Sequence, residues 1–395
     1  MRSVLLQMLA VTAINLRSLP KRLWLSLATV VAVGLVVMVL LTFLAMANGF
    51  QRTIAGSGAE DIAVVLRGGS RAELNSVVSL DQVRLIEDGP GIAKRADGKP
   101  QTSAELYVTV DGIKRSTRTK ANLPLRGLGP QGPALRRGIV ITAGRMFNPG
   151  SNEIIVGKAL GGEFEGFDLG QTVTFNNTRW TVVGIFSAEA GVFESEIWAD
   201  LPVLQSLFKR TGAFQVVRAR LTMPASIDAL RSYSDSDPRL KLDVMSEADY
   251  FAQQASSTAD LIQKLGWPLA IAMAFGSLAG ALNTMYSSVA ARASEIATLR
   301  AIGFGGFSTF VGTLVESLIL ASFGGVLGAA ATYLMFDGFT ASTVGGNFGQ
   351  VVFHFELSLR VIGQGLLLAL TVGLLGGLFP AMRAARMPIV AALYG

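Results

Sequence analysis

The segment ARASEIATLRAIG at residues 291–303 lies between two long apolar runs, at 267–290 and 307–336. Each run is long enough to cross the ~30 Å hydrocarbon core of a bilayer, which requires ~20 apolar residues in a helix. The segment itself contains Arg292, Glu295 and Arg300, so it is too polar to continue either run. We therefore expect a short charged helix at a membrane surface, between two transmembrane helices.

Two further apolar runs, at 23–47 and 361–382, have the length of a transmembrane helix. No comparable run occurs between residues 48 and 263. The chain is 50% hydrophobic and 16% charged, and its mean hydropathy is +0.47. These values fit a membrane protein with a large part in water. The sequence predicts an α-helical membrane protein with four transmembrane helices and a large mixed α+β extracytoplasmic domain between helices 1 and 2.

The flanking charges indicate which side of the membrane each segment occupies. The segments 1–22, 290–306 and 383–395 contain one acidic residue, Glu295. Their basic residues are Arg2, Arg17, Lys21, Arg22, Arg292, Arg300, Arg383 and Arg386. Because Lys and Arg are enriched in cytoplasmic loops, we expect these segments and both termini in the cytoplasm.

Charge in the large domain is balanced. Residues 48–263 contain 24 Lys and Arg against 24 Asp and Glu. The net positive charge of the chain therefore comes mostly from the segments predicted to be cytoplasmic. We expect contacts with membrane lipids and none with nucleic acid.

Residues 1–22 precede the first apolar run and are predicted to form an amphipathic helix along the inner membrane surface. A secretory signal peptide is the alternative, because Ala45-Met46-Ala47 resembles a cleavage site. The apolar run is longer than a signal peptide requires, which favours a retained transmembrane helix.

Residues 48–245 alternate between short runs typical of strands and short helical patterns. Predicted strands lie at 62–66, 106–110, 139–141, 154–156, 173–175, 180–186 and 216–221. Predicted helices lie at 80–87, 201–208 and 226–233. We expect a mixed α+β domain with two lobes.

Between residues 112 and 152 the domain has no acidic residue. The candidate basic patch there consists of Lys114, Arg115, Arg118, Lys120, Arg136 and Arg137. Such a patch would suit an anionic ligand, lipid head groups or an adaptor protein. The alternative is a solvated face with flexible loops.

The sequence offers little for catalysis or metal binding. The absence of cysteine excludes disulfides and thiolate chemistry, and His354 is the one histidine. Lys99 and Lys158 follow glycine but precede Pro100 and Ala159, so neither completes a nucleotide-binding P-loop. We expect no catalytic residue, no metal and no cofactor in this chain.

Ser246 is a good N-cap, and no strong helix breaker follows it before Pro268. A helix over 246–290 would be ~65 Å long, against ~30 Å for the hydrocarbon core. We expect a stalk that continues outside the membrane, with a bend at Pro268.

Glu316 lies well inside the predicted span 307–336. An intramembrane carboxylate is costly, so it is a candidate for a conformational role. A structural hydrogen bond to a neighbouring helix is the alternative.

Three groups of residues together resemble the ABC-transporter permeases of the MacB/FtsX/LolC family. The first is Arg292-x-x-Glu295-Ile296 with Arg300-Ala301-x-Gly303, which is similar to the coupling helix of that family. The second, similar to the family's periplasmic core domain, comprises 144–147, 152–157, 169–173 and 182–186. The third is the closing pattern at 379–393, with Pro-Ala, Ala-Ala, Pro and Ala-Leu.

The apolar runs, the flanking charges and this resemblance together predict the following division: a cytoplasmic N-terminal helix at 1–22, transmembrane helices at 23–47, 307–336 and 361–382, a periplasmic domain at 48–245, a stalk and transmembrane helix at 246–290, a coupling helix at 291–306, a periplasmic loop at 337–360 and a cytoplasmic tail at 383–395. The residues it implies for contact with an ATPase are Arg292, Glu295, Ile296, Leu299, Arg300 and Gly303. Ordinary anchoring by positive charge is the alternative for this helix.

The same resemblance implies a bacterial inner-membrane permease that converts the motion of a separate ATPase, which binds ATP and Mg²⁺, into export or membrane extraction of a substrate. Implied partners are that ABC ATPase, a second copy of the permease, and in efflux systems a membrane-fusion adaptor and an outer-membrane channel. Three alternatives remain: an FtsX-like regulator of a periplasmic hydrolase, a LolC-like releaser of lipoproteins, and an unrelated membrane receptor or sensor.

Overall fold

The computed structural model describes residues 2–189, 191–345 and 349–389. They form two compact units. The helical unit comprises the residues up to Asn48, Leu261–Phe339, and the residues from Phe355 onward. The α/β unit comprises Gly49–Asp260 and Thr340–His354. The predicted tail at 383–395 extends beyond the last described residue, 389.

The helices of the described residues are numbered in chain order. They are α1 Arg2–Ser18, α2 Leu23–Ala55, α3 Leu80–Glu87, α4 Lys158–Glu163, α5 Leu201–Leu207, α6 Ser226–Ser236, α7 Glu247–Ala291, α8 Ala293–Ala301, α9 Gly306–Phe336 and α10 Leu359–Arg386. Four of them, α2, α7, α9 and α10, are long and apolar enough to cross a membrane. This confirms the four transmembrane helices predicted from the sequence.

The strands are numbered in the same way. They are β1 Ile62–Arg67, β2 Val78–Ser79, β3 Thr102–Ile113, β4 Lys120–Leu128, β5 Val140–Gly144, β6 Glu153–Gly157, β7 Thr172–Phe175, β8 Thr178–Ser187, β9 Ile197–Asp200, β10 Ala213–Phe214, β11 Val216–Arg220, β12 Leu242–Ser246, β13 Thr340–Val344 and β14 Gln350–His354.

Glycines allow the helices of the helical unit to pack closely. A side chain at Gly328 of α9 would place its Cβ 2.4 Å from the carbonyl oxygen of Gly34 on α2. Only glycine fits at such a contact, and small residues at helix interfaces are typical of membrane bundles. The core around this contact includes Val37, Leu41 and Ala321.

The α/β unit is built on one sheet in the order β12-β1-β11-β3-β4-β9-β6-β8-β5, with β7 on β8. Neighbouring strands are antiparallel except for β4 with β9 and β6 with β8. Two separate hydrophobic clusters cover this sheet. One packs α3 and α6 against β1, β11 and β12, and the other surrounds Trp180 on β8. The mixed α+β domain is therefore confirmed.

The segment between α9 and α10 differs from expectation. We expected a loop over 337–360, but β13 and β14 form an antiparallel hairpin that belongs to the α/β unit. The backbone N–H of Val352 donates to Ser195 Oγ at 2.9 Å. The β-branched and aromatic residues Val351, Val352 and Phe353 favour the strand.

Helix α7 begins where β12 ends. Ser246 Oγ accepts from the backbone N–H of Asp249 at 3.0 Å, as an N-cap does. The helix then continues for 45 residues, with Pro268 inside it. The two units divide within this helix, between Asp260 and Leu261.

Candidate functional site

Helix α8 is separated from α7 by one residue, Arg292, which precedes its first turn. Its other end is set by Gly303, whose φ of +104° is unfavourable for any residue with a side chain. The chain then enters α9 at Gly306. These two interruptions isolate nine residues as a short helix between two transmembrane helices.

Arg292 pairs with the intramembrane carboxylate of Glu316. Its Nη2 donates to Glu316 Oε2 at 2.8 Å, and the side chains are 5% and 1% exposed. The second terminal nitrogen of Arg292 donates to Asn15 Oδ1 on α1 at 2.7 Å. Arg292 was predicted to face an ATPase together with Glu295. That prediction is wrong for Arg292, because the guanidinium is buried inside the helical unit.

Two more side chains complete what we call the Glu316 cluster: Asn15, Arg22, Ser288, Arg292 and Glu316. Arg22 lies 3.6 Å from Glu316 Oε1 and also donates to Ser288 Oγ. Ser288, near the end of α7, lies 3.4 Å from the same carboxylate oxygen. Five elements therefore meet here: α1, the short helix Leu19–Arg22, α7, the residue before α8, and α9.

The Glu316 cluster contains two guanidinium groups and one carboxylate. A buried charge is tolerated when it is paired and hydrogen-bonded, and breaking such a pair leaves an uncompensated charge. The pairing therefore explains how Glu316 can lie inside a transmembrane helix. It also fixes the start of α8 relative to α7 and α9.

The remaining candidate residues on α8 divide between a buried and an exposed side. Ile296 is buried against Val289, Ala384 and Met387, and Arg300 Nη1 donates to the carbonyl of Met387 at 2.5 Å. The prediction that Ile296 contacts a partner is wrong, since α7 and α10 already cover it.

Leu299 and Arg300 are partly buried, whereas the side chain of Glu295 and the residue Gly303 are exposed. Next to Gly303, Ile302 is 69% exposed. Ile302 was not among the residues predicted to contact an ATPase. The available sequence signal was an isoleucine directly before Gly303, at the end of a charged helix.

The candidate basic patch is largely paired with carboxylates. Arg115 pairs with Asp168, Arg118 with Glu165 and Arg137 with Asp61. Arg136 was predicted to be part of this basic patch, and that prediction is wrong. Its side chain is buried and donates twice to Glu105. Lys114 donates to the carbonyl of Ser342 at 3.5 Å, and Lys120 is exposed at the start of β4. The acidic partners lie outside residues 112–152. The sequence of that window therefore suggested more unpaired positive charge than the structure contains.

A larger ion cluster, the Arg126 network, lies in the interior of the α/β unit. Its seven buried members are Glu73, Glu105, Arg126, Arg136, Glu196, Arg218 and Glu247. Arg126 donates to both oxygens of Glu196 at 2.8 and 2.6 Å, to Glu73 at 2.6 Å and to Glu105 at 2.9 Å. Arg218 donates to Glu73 at 2.8 Å and to Glu247. The network joins β3, β4 and β11 to the first residue of α7.

Electrostatics favour the ionised forms of Glu105 and Glu196, whereas burial raises the pKa of Glu247 above its ordinary value. Burial alone would raise the pKa of Glu105, but Arg136, Arg126 and Arg218 outweigh it and lower the pKa to about 2. Burial also opposes ionisation of Glu196, and Arg126 nevertheless holds its pKa below the ordinary value. Aromatic faces add to the arginine environment, since Arg136 lies 4.9 Å from the ring centre of Phe193.

Sequence reasoning missed the Arg126 network. Arg126 was counted only among the basic residues of the 112–152 window, and Glu105 and Arg218 were not considered. The available signal was a charge within an apolar strand: Arg218 stands between Val217 and Ala219, and Glu105 between Ala104 and Leu106. A charge at such a position predicts a buried partner, although not which one.

Comparisons with known proteins agree with this architecture. Residues 26–233, more than half of the chain, match the MacB-like periplasmic core domain family. Residues 268–389 match the FtsX-like permease C-terminal family. The chain belongs to the MacB/FtsX-like permeases of ABC transporters. This permease is accordingly a multi-pass membrane protein whose α/β unit is extracytoplasmic.

Individual relatives are distant. The macrolide export ATP-binding/permease protein MacB of Azoarcus sp. (strain BH72) is 23% identical over 400 residues, covering 97% of this chain and 59% of that protein. The uncharacterized ABC transporter permease YknZ of Bacillus subtilis (strain 168) is 24% identical over 270 residues, covering 64% of this chain and 65% of that protein. The crystal structure of the periplasmic region of MacB from Actinobacillus actinomycetemcomitans is 13% identical with a TM-score of 0.37, and the match covers 52% of this chain and 96% of that one.

The permease spans about half the length of the curated MacB relatives that it matches, 49% of one and 59% of another. Those relatives are named as combined ATP-binding and permease proteins.

Proposed function

We propose that this permease transmits the ATP-driven motion of an ABC ATPase in a partner chain to its extracytoplasmic α/β unit. The outcome would be export, or extraction from the membrane, of a substrate. The observation that carries this proposal is the isolated helix α8, which is buried on one side and presents Glu295, Thr298 and Ile302 on the other.

The Glu316 cluster supports this role for α8. Arg292 connects the start of α8 to Glu316 of α9 and to Asn15 of α1, and Arg300 connects its end to the carbonyl of Met387. A helix held at both ends moves together with the transmembrane helices. A displacement of its exposed side therefore moves the transmembrane helices as well, because no local hinge separates them from α8.

Helix α7 supports the second half of the proposal. It continues without interruption from Glu247, in the α/β unit, to Ala291, next to α8. A continuous helix can transmit a displacement along its axis, and Pro268 is the position in α7 at which a kink would occur. We infer that α7 is the element that conveys the motion.

The partners and location follow from this assignment. ATP and Mg²⁺ would be bound by the ATPase, and a second copy of the permease would complete a dimer. An adaptor and an outer-membrane channel would be needed for efflux across two membranes. Both termini and α8 would lie in the cytoplasm of a bacterium, with the α/β unit in the periplasm.

The test is to co-express the permease with the ABC ATPase encoded nearest to its gene, and to measure co-purification and permease-stimulated ATP hydrolysis. Ile302→Glu should reduce both by about tenfold, since it places a charge on the exposed apolar residue of the proposed contact. Met223→Glu is the matched control, because Met223 is an exposed apolar residue of the α/β unit. Equal behaviour of the two variants would refute the ATPase contact at α8.

The same purification distinguishes the kinds of transport. An adaptor in the complex would support efflux, a peptidoglycan hydrolase would support regulation of the FtsX type, and a lipoprotein chaperone would support lipoprotein release. Absence of any ATPase would contradict the proposal.

A further inference from the structure

Glu247 connects three parts of the α/β unit through one carboxylate. It is the first residue of α7, and it accepts from Arg218 on β11. Its Oε2 also accepts from the backbone N–H of Ala59 at 3.2 Å. Ala59 follows shortly after α2, which ends at Ala55. The exit of α2, the start of α7 and strand β11 therefore meet at this side chain, in what we call the helix anchor: Ala59, Arg218 and Glu247.

Backbone contacts at the same place are independent of the charges. The N–H of Ala248 donates to the carbonyl of Ala59 at 3.2 Å. A side chain at Gly58 would place its Cβ 2.5 Å from the Cα of Ala248. The segment after α2 and the first turn of α7 are thus packed backbone against backbone.

The charge balance of the Arg126 network singles out Glu247. Its three arginines, Arg126, Arg136 and Arg218, are already matched in number by Glu73, Glu105 and Glu196. Glu247 is the fourth carboxylate, so it is not required to neutralise the arginines. Burying an additional charge costs stability, and a residue retained at such a cost is a candidate for a role other than stability.

Resting on the proposed function, we propose that Glu247 is a positioning residue that prevents α7 from pivoting where it joins the sheet. The covalent junction of β12 with α7 at Ser246 and Glu247 would by itself leave the helix free to rotate about the backbone torsions there. The helix anchor and the backbone contact between Ala248 and Ala59 together remove that freedom. A displacement of α7 is then delivered to β11 and to the exit of α2 together.

The experiment measures the pivot directly. Because the chain contains no cysteine, Gln253→Cys on α7 and Met223→Cys after β11 can be spin-labelled selectively. Pulsed electron paramagnetic resonance gives the distance distribution between the labels in the full-length permease bound to its ABC ATPase. It is recorded without nucleotide and with ATP plus vanadate.

In the parent we expect a narrow distribution that stays narrow when ATP and vanadate are added. Glu247→Gln should broaden it and add a second, pivoted population. Loss of one charge-assisted hydrogen bond raises the ratio of pivoted to anchored helix by about tenfold. Glu247→Asp should do the same, because a side chain one methylene shorter draws the carboxylate away from Ala59. The stimulated ATPase rate should stay within about twofold of the parent, since α8 is unchanged.

Asp249→Asn is the matched control. Asp249 lies in the same turn and accepts from Ser246 Oγ at 2.7 Å, without any contact to Arg218. It should leave the distribution narrow. A narrow distribution in Glu247→Gln and Glu247→Asp would overturn the proposal, and so would a failure of both variants to fold, because Glu247 would then be needed for stability. If instead the parent neither binds nor responds to the ATPase, the proposed function fails. The width of the distance distribution without nucleotide still tests the helix anchor in that case.

Discussion

The Glu316 cluster and the Arg126 network lie at opposite ends of the same helix, and their formal charges have opposite sign. At the end of α7, two arginines surround one glutamate, whereas at its start four glutamates surround three arginines. A helix carries partial positive charge at its N-terminus and partial negative charge at its C-terminus. The surplus charge of each cluster is therefore the one that its end of α7 favours.

This difference indicates that each cluster is adapted to the helix end that it holds. The network has more partners per ion and lies in the interior of the α/β unit, so removing a member other than Glu247 should mainly affect stability. The Glu316 cluster has fewer ions and lies next to α8, so removing a member should mainly affect coupling. Four predictions follow from this contrast, in order of decreasing effect.

The largest effect is expected for Arg126→Ala. It leaves Glu196 buried without its arginine and removes one of the two arginines that contact Glu73, which costs roughly 3–5 kcal/mol of folding free energy. Thermal unfolding of the purified permease in detergent should show a clear loss of stability. Arg239→Ala removes an exposed arginine paired with Asp237 and serves as the control. Similar unfolding temperatures for both variants would mean that the network does not stabilise the α/β unit.

The second prediction concerns pH. The pKa of Glu105 is lowered from 4.5 to about 2 in the folded protein, so its ionised form favours folding. This contribution, on the order of 3 kcal/mol, is fully present above the unfolded value and is lost as the pH falls from about 4.5 towards 2. Denaturant midpoints measured across this range should fall less steeply in Glu105→Gln than in the parent. Parallel curves would contradict the ionised state of Glu105.

The third prediction is that Glu316→Gln impairs coupling more than folding. The amide cannot neutralise Arg292 and Arg22, so the start of α8 loses its fixed position. We expect permease-stimulated ATP hydrolysis to fall about tenfold, equivalent to about 1.4 kcal/mol. The unfolding temperature should fall less than in Arg126→Ala, although Arg292 is left buried without its carboxylate. Full activity would instead favour a purely structural hydrogen bond at this position.

The smallest effect is expected for Arg22→Ala. Arg22 lies 3.6 Å from Glu316 and its side chain is 14% exposed, against 5% for Arg292. A longer and more solvated pair contributes less, about 1 kcal/mol or below. Stimulated ATP hydrolysis should therefore fall by less than about fivefold. A loss as large as that of Glu316→Gln would show that both arginines hold the carboxylate equally.

Much of the fold follows from the sequence because long apolar runs and turn chemistry are local signals. The capping box of Ser79 with Gln82 defines the start of α3, where the sequence places a helix at 80–87. Strands β4 and β9 were not predicted. β4 contains Pro124 and β9 has only four residues, so both depend on pairing with distant strands.

The candidate site was less predictable. Charged residues of α8 were read as exposed because a short polar helix usually is. Whether Arg292 faces outward or inward depends on Glu316, 24 residues away, and on Asn15, 277 residues away. The Arg126 network could not be predicted for the same reason, because its members come from seven separate positions between Glu73 and Glu247. Partner identity in such clusters is set by tertiary contacts that no local pattern contains.

The hairpin of β13 and β14 has a consequence for biosynthesis. It follows α9 in the chain, yet it belongs to the same unit as Gly49–Asp260. Since proteins are made from the N-terminus, the extracytoplasmic unit cannot be completed until the ribosome has passed His354 and that hairpin has been translocated. During this interval Ser195 lacks the backbone donor that Val352 provides. Maturation of the unit is thereby delayed until most of the polypeptide has been inserted.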